Sequence, residues 1–96
     1  MTITKNTQNT MSGDVNNNNK IDISDILLIQ RHIAQQNSTT IANKYPNWKL
    51  SDEKINLADT NKNGRVDIAD ILLIQRYIAA KNSSTVANSH PNWLEL

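Results

Sequence analysis

Two sets of oxygen-bearing side chains carry most of the chemistry open to this chain. Asp14, Asn16, Asn18, Asp22 and Asp25 stand at the first, third, fifth, ninth and twelfth places of one stretch, and Asp59, Asn61, Asn63, Asp67 and Asp70 repeat that spacing. Calcium takes six to eight hard oxygen ligands, and a loop of about twelve residues supplies them at alternating places, with a main-chain carbonyl at the seventh and a carboxylate at the last. The seventh places hold Lys20 and Arg65. Their side chains have the wrong charge, so their carbonyl oxygens complete the two ligand sets. One Asp/Asn-rich match is more often a plain solvated turn. Two in register, each closing on a carboxylate where an apolar stretch begins, reverse that preference, and two calcium ions are the predicted cofactors.

The pattern departs from EF-hand loops of the calmodulin type in two places. The terminal ligands are Asp25 and Asp70 instead of Glu, so bidentate reach requires the following helix to start closer to the ion. At the sixth place, where the sharp turn asks for glycine, the second loop has Gly64 and the first has Asn19. Asn is the most tolerant non-glycine residue at positive φ, so the first site is expected to be weakened and not abolished. Ile21 and Val66 fall at the eighth place, where paired EF-hand loops join through a short strand contact.

The elements that must hold these loops are written twice. Offsetting the chain against itself by about 45 residues aligns Asp14–Leu50 with Asp59–Glu95, with roughly 22 of 37 positions identical. Each copy reads as a polar loop, a helix, a Ser/Thr-rich bend and a Pro-Asn-Trp tail, with Tyr45 before the first tail and His90 before the second. In the first helix Ile23, Ile26, Leu27, Ile29, Ile33 and Ala34 fall on one broad stripe and are expected to face the core. Asp22 and Asp67 sit where N-caps belong, with Asp25 and Asp70 in the first turns, where the helix dipole favours a carboxylate. Asn37-Ser38 and Asn82-Ser83 end the helices, because both residue types compete with helical backbone. Ser51 can cap a short connecting helix over 51–58 that enters the second loop; only Met11-Ser12-Gly13 precedes the first.

The predicted fold class is therefore all-α: two antiparallel EF-hand-like loop–helix repeats related by a pseudo-two-fold axis, plus the short connecting helix. Residues 1–12, almost without apolar content, read as a disordered linker, and 13–96 as one domain, with repeat one at 13–50 and repeat two at 51–96. A chain of 96 residues is short of core, and without cysteine no disulfide can staple it, which favours a metal. The formal charge of +1 offers no field for nucleic acid or an anionic membrane. The apolar runs at 26–29 and 71–74 are too short to span a bilayer, and no stretch has a signal-peptide layout, an absence that means little if the chain is a module cut from the end of a longer secreted protein.

The doubled run GDVNNNNKIDISDILLIQRHIA and ADTNKNGRVDIADILLIQRYIA resembles the dockerin family of cellulosomal and related secreted proteins, over about Gly13 to Ala80. The resemblance implies a calcium-loaded module that docks onto a cohesin domain, at the end of a polysaccharide-degrading enzyme or a scaffold protein, in an extracellular, secreted or cell-surface complex. The spacer between the copies is longer than in the common cellulosomal type, and the resemblance does not account for the Pro-Asn-Trp tails.

A docking surface also follows from the helices. Ser24, Leu28, Arg31 and Gln35 form a stripe away from the expected core face, and Ala69, Leu73, Arg76 and Ala80 repeat it. Ile23 and Ile68 border it, as do Gln30, Gln75, His32 and Tyr77. Like stripes on two related helices predict that a cohesin can engage either one after a half-turn of the module. Trp48 and Trp93 are expected to close the core, each over the other copy's helix, with sugar stacking as the lesser alternative. His32 and His90 are expected at the surface, and Asn37 and Asn82 open Asn-x-Ser/Thr triplets that an Asn-rich chain produces by chance.

No nucleophile stands beside a base, so the domain is not expected to be an enzyme. It is expected to be monomeric when free, with no nucleic acid or membrane partner. The rival reading is a calcium-stabilised structural module acting within its own parent chain. A sensor of calmodulin type is disfavoured by the missing entering helix and by Met1 and Met11 lying in the linker.

Overall fold

The computed structural model describes residues 11–96. The linker expected over 1–12 therefore lies outside the described residues except for Met11, whose carbonyl accepts the Asp14 N–H at 2.9 Å, and Ser12. Among the described residues the regular structure is wholly helical. Five α-helices follow one another, α1 (Ile23–Asn37), α2 (Thr39–Lys44), α3 (Asp52–Ala58), α4 (Ile68–Asn82) and α5 (Ser84–Ser89), with 3₁₀ turns at Pro46–Trp48 and Pro91–Leu94.

The long helices begin where the capping residues stand. Asp22 accepts from the Ser24 N–H, and the Asp25 side chain answers by accepting from the Asp22 N–H, a reciprocal box that satisfies two otherwise orphaned donors. Asp67 and Asp70 build the same box on α4. The two caps match closely, with φ −148° and ψ −169° at Asp22 against −147° and −171° at Asp67. Ser51 caps α3 as expected, accepting from the Lys54 N–H at 3.3 Å.

The Ser/Thr-rich segments are helices, not bends. Ser38 and Ser83 stop α1 and α4 in extended backbone and at once cap α2 and α5 by accepting from the Ile41 and Val86 N–H groups. A six-residue helix has too few internal bonds to stand alone. These persist because α2 packs on α1 and α5 on α4, each within its own copy.

Val15, Ile26, Ile29, Leu50, Ala58, Ile71 and Ile74 form the core, with Ile21, Leu28, Ile33, Ile55, Val66, Ile78 and Leu96 against its edges. The copies meet where α1 crosses α4. Asn19 to Asp22 share a groove with Tyr77, Ile78, Lys81 and Asn82, so the start of α1 lies beside the end of α4 and the helices are antiparallel. The first loop thus sits at the C-terminal end of α4 and the second at its N-terminal end. That arrangement removes the strand contact expected between Ile21 and Val66. Neither residue is in a strand, and each reaches the core through its side chain.

Three expectations about which side faces inward are corrected. Ile23 and Leu27 do not enter the core but lie 71% and 43% exposed, while Leu28 packs against it. Gln35 and Ala80, placed on the docking stripe, are buried, and so is His32, whose Nδ1 accepts the Leu50 N–H at 3.0 Å. Trp48 and Trp93 are half-buried on their own copy's helix, not on the other's. Trp48 stacks on Tyr45 at 4.0 Å with the Arg31 guanidinium 5.3 Å from its ring centre, and Trp93 stacks on His90 at 3.9 Å with Arg76 at 5.2 Å. Each tryptophan ring is thus engaged by a stacked aromatic ring and by a guanidinium of its own copy's long helix.

Candidate metal centres and docking face

Each loop is folded by its own ligand side chains. In the first, Asp14 accepts from the Asn18 N–H at 3.1 Å and the Asn19 N–H at 2.9 Å, which curls the chain around its carboxylate. Asp25 reaches back from α1 to accept from the Asn16 N–H at 3.1 Å and the Asp22 N–H at 2.9 Å. Asn18 Oδ1 accepts the Lys20 N–H at 3.0 Å, fixing the peptide next to the predicted carbonyl ligand.

The second loop repeats this bond for bond. Asp59 accepts from Asn63 at 3.2 Å and Gly64 at 2.9 Å, Asp70 from Asn61 at 3.2 Å and Asp67 at 2.8 Å, and Asn63 from Arg65 at 3.0 Å. Its last ligand residue is tied further, because Thr60 Oγ1 donates to the Asp70 main-chain carbonyl at 3.1 Å and, at a longer 3.5 Å, to the Asp70 carboxylate. The sixth places behave alike despite their different residues: Asn19 has φ 71° and Gly64 φ 89°.

The electrostatics ask for a cation. Asp14, Asp25 and Asp70 are fully buried. Burial pushes the Asp25 carboxyl above the usual carboxylate range, the charges of Asp14 and Asp22 add to the rise, and N–H bonds from Asp22 and Asn16 oppose it. Asp70 is raised in the same way, by burial and by Asp59 and Asp67. Asp22 is lowered, chiefly by the Ser24 hydroxyl that donates to it. Buried like charges need a counter-charge or a proton. Among the described residues the single ion pair is Arg65–Asp67 at 3.6 Å, at the surface, which compensates none of the buried groups.

Among the described residues no three His, Cys, Asp or Glu side chains are grouped to hold an ion by themselves. Each set is completed by Asn and carbonyl oxygens, the hard neutral donors that suit calcium and not a soft metal. The fit is clearest at Asn16. Its Oδ1 is buried and has no hydrogen-bond partner, although buried polar atoms are nearly always paired. A cation in the first loop would satisfy it.

The predicted docking residues divide. Ile23 and Ile68 are both 71% exposed and Ala69 is exposed; Ser24 is half-buried and tied into its loop. Leu28 and Leu73 are half-buried, and Arg31 and Arg76 lie over the tryptophans. Gln35 and Ala80 are removed by burial. The residues missed are Leu27 and Leu72, 43% and 45% exposed, each one turn beyond the exposed isoleucine. Their signal was the i, i+4 spacing from Ile23 and Ile68, masked by the unbroken apolar run around them.

A family model described as the Dockerin type I domain matches residues 12–79, well over half of the chain. No curated protein and no solved structure gives a significant match.

Proposed function

The chain belongs to the Dockerin type I domain family, whose members bind cohesins in a calcium-dependent way, and from that premise we propose that it anchors its parent protein in a multi-protein, cellulosome-like complex. One ion sits in each loop, held by Asp14, Asn16, Asn18, the Lys20 carbonyl, Asp22 and Asp25, and by Asp59, Asn61, Asn63, the Arg65 carbonyl, Asp67 and Asp70. The module has no catalysis of its own and acts outside the cell, carried by a polysaccharide-degrading enzyme or a scaffold protein.

The observation that carries this reading is the pair of exposed apolar faces. Ile23 and Leu27 on α1, and Ile68 and Leu72 on α4, stay in solvent in a domain with few apolar residues to spare. Leucine and isoleucine beside an arginine held over a ring make an interface anchor with little freedom left to lose. The antiparallel repeat presents that face twice, so a cohesin has two equivalent ways to dock.

Titrating the calcium-loaded domain with a panel of cohesins tests this. Tight binding to at least one is expected. Leu27→Asp or Leu72→Asp alone should cost about twofold, the statistical loss of one of two poses, and the double variant should abolish binding. No binding to any cohesin would favour a structural role within the parent chain. A full loss from either single variant would leave one fixed pose.

A further inference from the structure

The two loops share their backbone bonds but differ at the eleventh place, which is Ser24 in the first and Ala69 in the second. Ser24 Oγ accepts from Asn16 Nδ2 at 3.1 Å and donates to Asp22 Oδ1, and its own N–H donates to the same Asp22 oxygen at 3.1 Å. One hydroxyl thus joins a ligand from the front of the loop to a ligand from its end. Because Asn16 spends its amide nitrogen on Ser24, its oxygen is turned the other way, buried and without a partner. In the second loop Ala69 offers no hydroxyl at that place, and the corresponding Asn61 oxygen accepts the Asn63 N–H at 3.2 Å.

We infer that Ser24 is a positioning residue for the first calcium site, fixing Asn16 and Asp22 together so that the Asn16 oxygen faces the ion. This rests on the calcium reading above. A ligand already held in place gives up less side-chain freedom on binding, and partners behind the ligating atoms govern metal affinity. Asn16 in the ion-free loop also leaves a buried acceptor unsatisfied, a cost the cation removes. In the second loop the cation must share the Asn61 oxygen with a main-chain N–H. The first loop therefore offsets the handicap of Asn19, and it is the tighter of the two.

The test follows calcium binding in each loop separately. The Asn19 and Gly64 amides donate to Asp14 and Asp59, so their nitrogen-15 NMR signals report the two loops during titration of the full chain with calcium chloride, with calorimetry alongside. In the unaltered chain the Asn19 signal should reach its midpoint first. Ser24→Ala should move that midpoint to about fivefold higher calcium, the loss of one ordinary hydrogen bond, and move the Gly64 midpoint less. Ser24→Thr, which keeps the hydroxyl, should restore it. Ala69→Ser, which adds the hydroxyl to the second loop, should move the Gly64 midpoint to lower calcium. An unmoved Asn19 midpoint in Ser24→Ala, equal shifts of both midpoints, or an unmoved Gly64 midpoint in Ala69→Ser would overturn the positioning role alone. Absence of any calcium-dependent shift in the unaltered chain would overturn the calcium reading with it.

Discussion

Asn19 and Gly64 show how one backbone requirement is met by two chemistries. Both are left-handed, and a Cβ added at Gly64 would touch nothing within 4 Å, so substitution there costs only backbone strain. Gly64→Asn should lower unfolding stability in saturating calcium by less than about 1 kcal/mol, and Gly64→Val by about 2 kcal/mol, both read from urea denaturation. His32 sets a different limit. Its burial, helped by the charge of Lys49, holds its pKa below the ordinary value of 6.5, and a protonated Nδ1 cannot accept the Leu50 N–H. A base with a depressed folded pKa gives stability that is complete above its unfolded value and lost as the pH falls through the folded one. The urea midpoint in saturating calcium should therefore drop as the pH falls below 6.5, and His32→Gln should flatten that slope. The loop carboxylates were legible because their spacing repeats and nothing else explains it. His32 was not, since a lone histidine on a helix gives no sign of whether a distant N–H needs it.

At the scale of the element, helix starts were legible and helix faces were not. Asp22, Asp67 and Ser51 are capping residues by type and place, and all three cap. The buried side of α1, however, carries Asp25, His32 and Gln35 among its isoleucines, while Ile23 and Leu27 are outside. Polar residues on the inner face and apolar ones on the outer face defeat any reading by hydrophobic stripe. The Pro-Asn-Trp turns were misplaced for a related reason, because Trp buries its area against whatever is near, and the short α2 and α5 bring it back onto its own helix. Each tryptophan is a clamp between an aromatic ring and an arginine, combining stacking with a cation–π contact. Trp48→Ala and Trp93→Ala should each cost about 2 kcal/mol in urea unfolding. Since the clamps belong to different copies and share no partner, the double variant should lose the sum.

For the whole molecule, the all-α class and the doubled architecture could be read from the repeat alone. The antiparallel crossing of α1 and α4 followed from it, and the absence of a strand between the loops did not, because that depends on where the loops lie in space. The hydrophobic core is small, and the carboxylates buried beside it repel one another until a cation arrives. Removing calcium with a chelator should therefore cost most of the helical circular dichroism signal, and millimolar calcium should restore it. An unchanged spectrum in chelator would mean that packing alone holds the fold.

The placing of the loops at opposite ends of α4 has an electrical consequence. Fifteen residues of helix separate them by about 22 Å, well past the Debye length of about 8 Å in physiological salt. One bound dication is then nearly invisible to the other, and any steepness in metal uptake has to be transmitted mechanically, through the folding of the shared interior.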